Sequence, residues 1–261
     1  LSNKGGKNCD ILLMSATPIP RTLILTTYGD MDISKLTQKP FNRKNIITLS
    51  KPEEKIDEII LFIRNQINKG NQIFWVCPLI EESKKMDYSA AVQKYNYLLK
   101  KFGNKVGLIH GNLDKNEKDK VLYNFLKKKI DILVSTTVIE VGIDFPDANV
   151  IIVENSNKFG LSQLHQLRGR VGRGISQGTC ILLYKKNLSE NAKKRIKILK
   201  YSNDGFFIAD EDMKLRGFGD VLGYKQSGIK DFKLADPVHH SDLFKIAEKD
   251  IKRIELDTNN F

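Results

Sequence analysis

Short runs of uninterrupted apolar residues alternate along the chain with longer stretches in which apolar positions recur every three to four residues. The runs predict strands at Ile11 to Ser15, Ile46 to Leu49, Gln72 to Cys77, Val106 to His110, Ile132 to Ser135, Val150 to Glu154 and Cys180 to Tyr184. Between them, Ile56, Ile59, Ile60 and Ile63 recur at helical spacing behind Pro52-Glu53-Glu54, and Val121, Leu122 and Phe125 do so after Asp114 and Glu117. Both sets read as the core faces of amphipathic helices. Such alternation predicts an α/β fold, a parallel sheet with helices on both faces. Trp75, inside Phe74-Trp75-Val76, reads as a buried strand aromatic.

The pattern breaks twice. At Gln38-Lys39-Pro40-Phe41-Asn42-Arg43 proline and polar residues interrupt it and predict a linker. After Tyr184 the strand-like runs stop, and a basic helix over Glu190 to Tyr201 precedes the glycine-punctuated segment Arg216-Gly217-Phe218-Gly219-Asp220-Val221-Leu222-Gly223. The expected organisation is therefore residues 1–39, 40–186 and 187–261. The last is an appendix of helical hairpin, loop and tail.

Charge narrows the partners. Lys and Arg outnumber Asp and Glu by 43 to 31, a net charge of +12, which favours a polyanion such as nucleic acid, with a merely lysine-rich composition as the equal alternative on basicity alone. No apolar stretch approaches the length that spans a bilayer, and Leu1-Ser2-Asn3-Lys4-Gly5-Gly6 lacks a signal-peptide core, so the expectation is a soluble intracellular chain without a membrane partner. Cys9, Cys77 and Cys180 are widely spaced in or beside apolar runs and read as reduced core residues. The histidines His110, His165, His239 and His240 have no ligand companions at usable spacing, so no metal is assigned to protein side chains.

Three segments carry candidate chemistry. In Gln166-Leu167-Arg168-Gly169-Arg170-Val171-Gly172-Arg173, arginine forks interleave with glycines that let backbone approach closely, an arrangement suited to phosphate; the alternative is a solvated basic helix end with a glycine cap. Ser15-Ala16-Thr17-Pro18 follows a predicted strand, where open parallel sheets bind ligands, although Thr17 and Pro18 would equally start an ordinary helix. In Thr136-Thr137-Val138-Ile139-Glu140-Val141-Gly142-Ile143-Asp144, Gly142 permits an unusual backbone angle and Asp144 offers an acceptor for a sugar hydroxyl; the alternative is a plain turn between strand and helix.

Taken in order, these segments resemble the late motifs of superfamily 2 helicases and translocases. More narrowly, Ala16-Thr17-Pro18-Ile19-Pro20-Arg21-Thr22-Leu23, the run from Phe159 to Gly174, Leu215-Arg216-Gly217 and Gly223-Tyr224-Lys225-Gln226-Ser227-Gly228 resemble the bacterial RecG family over nearly the whole chain. Tyr28-Gly29-Asp30-Met31-Asp32 and Phe232-Lys233-Leu234-Ala235-Asp236 favour that family over Mfd, a transcription-repair coupling translocase with a related motor.

The resemblance implies a RecA-like second motor lobe at 40–186, preceded by the end of the first lobe and followed by a translocation motif. It makes Arg170 and Arg173 arginine fingers on the γ-phosphate of ATP, Gln166 a sensor of phosphate and water, and Gly142, Asp144 and Gly169 part of the nucleotide cleft. Ser15 and Thr17 would link hydrolysis to lobe movement, Thr136 and Gly111 would hold the DNA backbone, and Arg195, Arg216 and Gln226 would couple motor strokes to duplex DNA. The implied cofactor is ATP with Mg2+. The implied partners are branched duplex DNA (forks and Holliday junctions), a wedge domain and first lobe of the same protein, and single-strand-binding protein, with a monomeric state and a cytoplasmic, nucleoid-associated location.

One departure qualifies this. The 261 residues contain neither a Gly-x-x-x-x-Gly-Lys-Ser/Thr loop nor an Asp-Glu pair behind a strand, and Asp210-Glu211-Asp212 reads as helix-start acids. The expectation is a fragment of an ATP-dependent DNA helicase, inactive alone. The alternatives are an Mfd-like translocase and a non-catalytic nucleic-acid-binding module.

Overall fold

The computed structural model describes residues 44–78, 84–136, 145–174 and 176–216 together with isolated positions elsewhere; for residues 84–89 and Arg216 it describes the backbone alone. The strand expected at Ile11 to Ser15, and the candidate residues Ser15, Thr17, Gly142, Asp144 and Gln226, lie outside these residues.

Six parallel strands form one sheet: β1 (Ile47–Pro52), β2 (Gln72–Cys77), β3 (Val106–Ile109), β4 (Ile132–Thr136), β5 (Ala148–Val153) and β6 (Thr179–Tyr184). Their spatial order is β1-β6-β5-β2-β4-β3. The helices are α1 (Ile56–Asn68), α2 (Lys84–Phe102), α3 (Lys115–Leu126), α4 (Leu161–Arg168), α5 (Glu190–Tyr201) and α6 (Gly205–Arg216). Because the central strands are covered on both faces, every residue of β2 and β5 is buried, which is why they read as continuous apolar runs. On one face Ile73, Trp75 and Cys77 pack with Ile59, Ile60 and Ile63 of α1 and Ala91 and Leu98 of α2. Phe74, at the alternate position, meets Phe125 of α3 at 5.2 Å on the other face.

Local chemistry sets the helix starts. Asp114 accepts the Glu117 amide at 2.8 Å, and Ser189 accepts that of Ala192 at 3.3 Å, each satisfying a donor that the first turn leaves open. The buried Gln72 side chain donates to the carbonyls of Phe125 and Ile130, pinning the end of α3 to the start of β2.

Residues Ser34–Asp204 make one compact unit, and Leu1–Ile33 with Gly205–Phe261 a second. The lobe therefore continues past the expected boundary at residue 186: α5 packs against β1 and α4 and is held there by two arginines described below. Its basic, lysine-rich sequence hid that docking. In the second unit, α6 buries Ile208, Ala209, Asp212 and Met213. Asp210, Glu211 and Asp212 lie in its middle, not at its start, and Glu211 pairs with Lys214 at 2.7 Å.

Candidate functional site

Helix α4 starts at Gly160, whose amide donates to Gln163 Oε1 at 2.9 Å, and ends at Gly169. Gly169 stays in the right-handed region, with the Gln166 carbonyl 3.3 Å from where a Cβ would stand. The chain then turns through Arg170 and a fully buried Val171, which anchors the loop and leaves the flanking arginines nearer the surface. Gly172 has φ +67°, a left-handed conformation, and a Cβ there would stand 3.0 Å from the Gly178 Cα. Both constraints require glycine. Gly172→Ala is expected to destabilise the lobe by about 2 kcal/mol, read as a lower urea midpoint at unchanged slope.

The loop leans on the segment that precedes β5. The Gly172 amide donates to the Ala148 carbonyl at 3.4 Å, and Gly174 passes so close to Pro146 that a Cβ would stand 2.5 Å from its carbonyl oxygen. Two stretches distant in sequence, Pro146 to Ala148 and the arginine loop, thus meet at the amino ends of β5 and β6. Here Arg170 is half-buried and Arg173 exposed, and Arg173 Nε donates to the Gly169 carbonyl at 3.4 Å. Burial, and then the neighbouring Arg173 charge, lower the Arg170 pKa. Among the described residues no carboxylate pairs with Arg170. A guanidinium stays protonated regardless, so the loop presents two positive forks to any anion that enters. Gln166 is exposed on the preceding turn of α4.

Arg168 departs from the expected anion cluster. It is 2 % exposed and turned inward, donating from Nη1 to the carbonyls of Leu199 and Ser202 at 2.7 and 2.9 Å and to Thr48 Oγ1 at 3.3 Å. Its Nη2 lies 2.9 Å from His165 Nδ1; since arginine only donates, that nitrogen accepts and the imidazole proton sits on Nε2. Arg168 thus satisfies open carbonyls at the end of α5. Burial lowers its pKa and, despite the nearby guanidinium, raises the thiol of the adjacent Cys180 to about 12. Arg195 is a second brace, from α5 to the carbonyls of Phe159 (2.5 Å) and Asn157 (3.3 Å).

Thr136 and Gly111 lie at the other end of the sheet. Thr136 closes β4, and Gly111 follows β3 beyond His110, whose Nδ1 accepts the Asn112 amide at 3.2 Å. Burial and the Lys118 charge lower the His110 pKa. A Cβ on Gly111 would meet nothing within 4 Å, so that position is open. With strands of five or six residues between them, the two clusters stand about 15–20 Å apart.

The same carboxyl edge holds a polar cluster that carried no sequence signal. Glu154 accepts the Trp75 indole at 2.7 Å and pairs with Lys94 at 3.2 Å, while Lys94 lies 5.0 Å from the Trp75 ring. Burial, reinforced by the Glu154 charge, raises the Glu53 pKa.

A six-stranded parallel lobe with an arginine loop at the amino ends of its strands is the architecture of a helicase motor domain, and the family model "Helicase conserved C-terminal domain" matches residues 52–174. A second, "ATP-dependent DNA helicase RecG, domain 3, C-terminal", matches residues 202–260. ATP-dependent DNA helicase RecG of Thermotoga maritima is 46% identical over 259 residues, covering 98% of this chain and 33% of that protein. The Bacillus subtilis RecG is 46% identical over 252 residues, 96% of this chain and 37% of its own length. A solved structure of RecG bound to a three-way DNA junction matches 94% of this chain and 31% of that one, at 45% identity and a TM-score of 0.72. The chain belongs to the RecG family. It spans about a third of the length of the relatives it matches.

Proposed function

We propose that this chain is the second motor lobe and translocation motif of an ATP-dependent helicase that acts on branched DNA. The observation that carries the reading is the packing of the arginine loop against Pro146 and Ala148, which brings the half-buried Arg170 and the exposed Arg173 to one end of the sheet. In the complete motor these arginines reach the γ-phosphate of ATP and Mg2+ bound by the first lobe, with Gln166, Gly169, Gly142 and Asp144 lining the same cleft. Thr136 and the open backbone at Gly111 grip the DNA backbone, a contact that serves every sequence equally. Ser15 and Thr17 link hydrolysis to movement.

In this reading the domain order is the end of a first lobe, the RecA-like lobe and the translocation motif, with Arg195 bracing the helix where the motif begins and Arg216 and Gln226 working in its loop. Forks and Holliday junctions are the substrates, which the likeness to RecG on a three-way junction supports. Gln226→Ala in the protein that joins this chain to its first lobe is expected to keep DNA-stimulated ATP hydrolysis within about threefold and to lose junction unwinding by tenfold or more. Equal loss of both activities would remove the coupling role. Among the described residues no helix is long and apolar enough to cross a membrane.

A further inference from the structure

A cavity of about 350 Å3 opens between α5 and the carboxyl halves of β1 and β6, away from the arginine loop. Its floor is apolar, with Leu188 and Ile196, and Ser50 and Tyr184 line it from the strands. Lys193, Lys197 and Lys200 line it from α5. Their spacing puts them on one helix face, Lys197 about 6 Å and Lys200 about 10.5 Å along the axis from Lys193. Lys193 is answered by Glu190 at 2.7 Å. No ion pair of Lys197 or Lys200 is present among the described residues. At the rim Tyr201 is 88 % exposed, a large aromatic left in water beside the two lysines.

Each feature restricts the occupant. Same-sign charges around a concavity call for an anion, but a bare inorganic anion would use neither the tyrosines nor the apolar floor. A duplex offers phosphates while keeping its base faces stacked on one another. Single-stranded nucleic acid offers both, phosphates for the lysines and an open base face for an aromatic platform. We propose that this cavity is an accessory site for a short single-stranded nucleic-acid segment, with phosphates on Lys197 and Lys200 and a base on Tyr201. β6 stands three strands from β4, about 14–15 Å across the sheet, so the site is separate from the tips at Thr136 and Gly111. It requires no ATP and goes beyond the motor reading.

The test uses the 261-residue chain and fluorescence anisotropy with a labelled oligothymidylate of about 12 nucleotides, a length within the range that single-strand grooves cover. A blunt duplex of the same length is the comparison. Lys197→Glu with Lys200→Glu is expected to weaken single-strand binding at least tenfold and to flatten its salt dependence by about 1.4, the slope of two phosphate contacts. Tyr201→Ala is expected to weaken single-strand binding fivefold or more with duplex binding unchanged, and Tyr201→Phe to retain it. The Lys127→Glu with Lys128→Glu variant, which alters charge to the same extent on another surface, should cost less than threefold. The proposal is overturned if that control pair costs as much as the cavity pair. It is equally overturned if Tyr201→Ala leaves single-strand affinity intact, which is the behaviour of an inorganic-anion site, or lowers duplex affinity to the same degree.

Discussion

ATP turnover by the protein that joins this lobe to its phosphate-loop lobe is expected to fall roughly 10³- to 10⁵-fold on Arg173→Ala, and comparably on Arg170→Ala, the range over which an arginine finger acts in phosphoryl transfer. The geometry gives the reason. Val171 and Gly172 lock the loop onto the amino ends of β5 and β6, so the two guanidiniums are held close together at little cost when nucleotide arrives. Burial, and then the Arg173 charge, depress the Arg170 pKa, and an incoming γ-phosphate offsets both most where its charge is spreading in the transition state. Arg173→Lys should rescue little, because an ammonium keeps the charge but not the planar fork. Arg173 is exposed, so its variants should unfold at wild-type urea concentrations, which separates a chemical loss from a structural one. The 261-residue chain by itself provides the baseline: with no phosphate loop in its sequence, it should turn over no ATP. Hydrolysis that persists within tenfold in both alanine variants would remove the fingers from the mechanism.

The sheet was legible because its chemistry is local. Gln72–Cys77 was predicted to the residue, and the other described strands to within three residues, since burial on both faces writes a strand as an unbroken apolar run. The arginine loop was legible as a motif for a related reason: the turn at Gly172 and the close pass at Gly174 demand glycine from backbone geometry alone. Other features depend on partners distant in the chain. Arg168, Arg170 and Arg173 look alike in sequence, yet the first is separated from the others by acceptors at Leu199, Ser202 and Thr48 that no local pattern announces. For the same reason α5 was recognised as a helix but assigned to the appendix, its basic face masking the Ala192, Ile196 and Leu199 stripe that docks it on the lobe. Glu154 read as an ordinary strand end, and only the packing of α2 and β2 shows it receiving both an indole and an ammonium.

Arg168→Met is expected to cost about 3–5 kcal/mol of lobe stability, the largest structural effect of any change in the arginine segment. Methionine fills much of the same volume, so packing survives while every donor is lost. The carbonyls of Leu199 and Ser202 and the Thr48 hydroxyl would then lie in a site from which water is largely excluded, with the end of α5 no longer tied to α4. Arg168→Lys should fall between wild type and methionine, because one ammonium reaches some but not all of four acceptors held around a planar fork. Urea unfolding of the 261-residue chain reads the loss directly, and hydrogen exchange should localise it to the amides of α5. A phosphate-binding Arg168 would behave in the opposite way, leaving the unfolding midpoint where it was and raising the KM for ATP in the complete motor. That outcome would return Arg168 to the anion cluster; a lowered midpoint with unchanged KM would fix it as the bracket that holds the arginine helix to the edge strand and to α5.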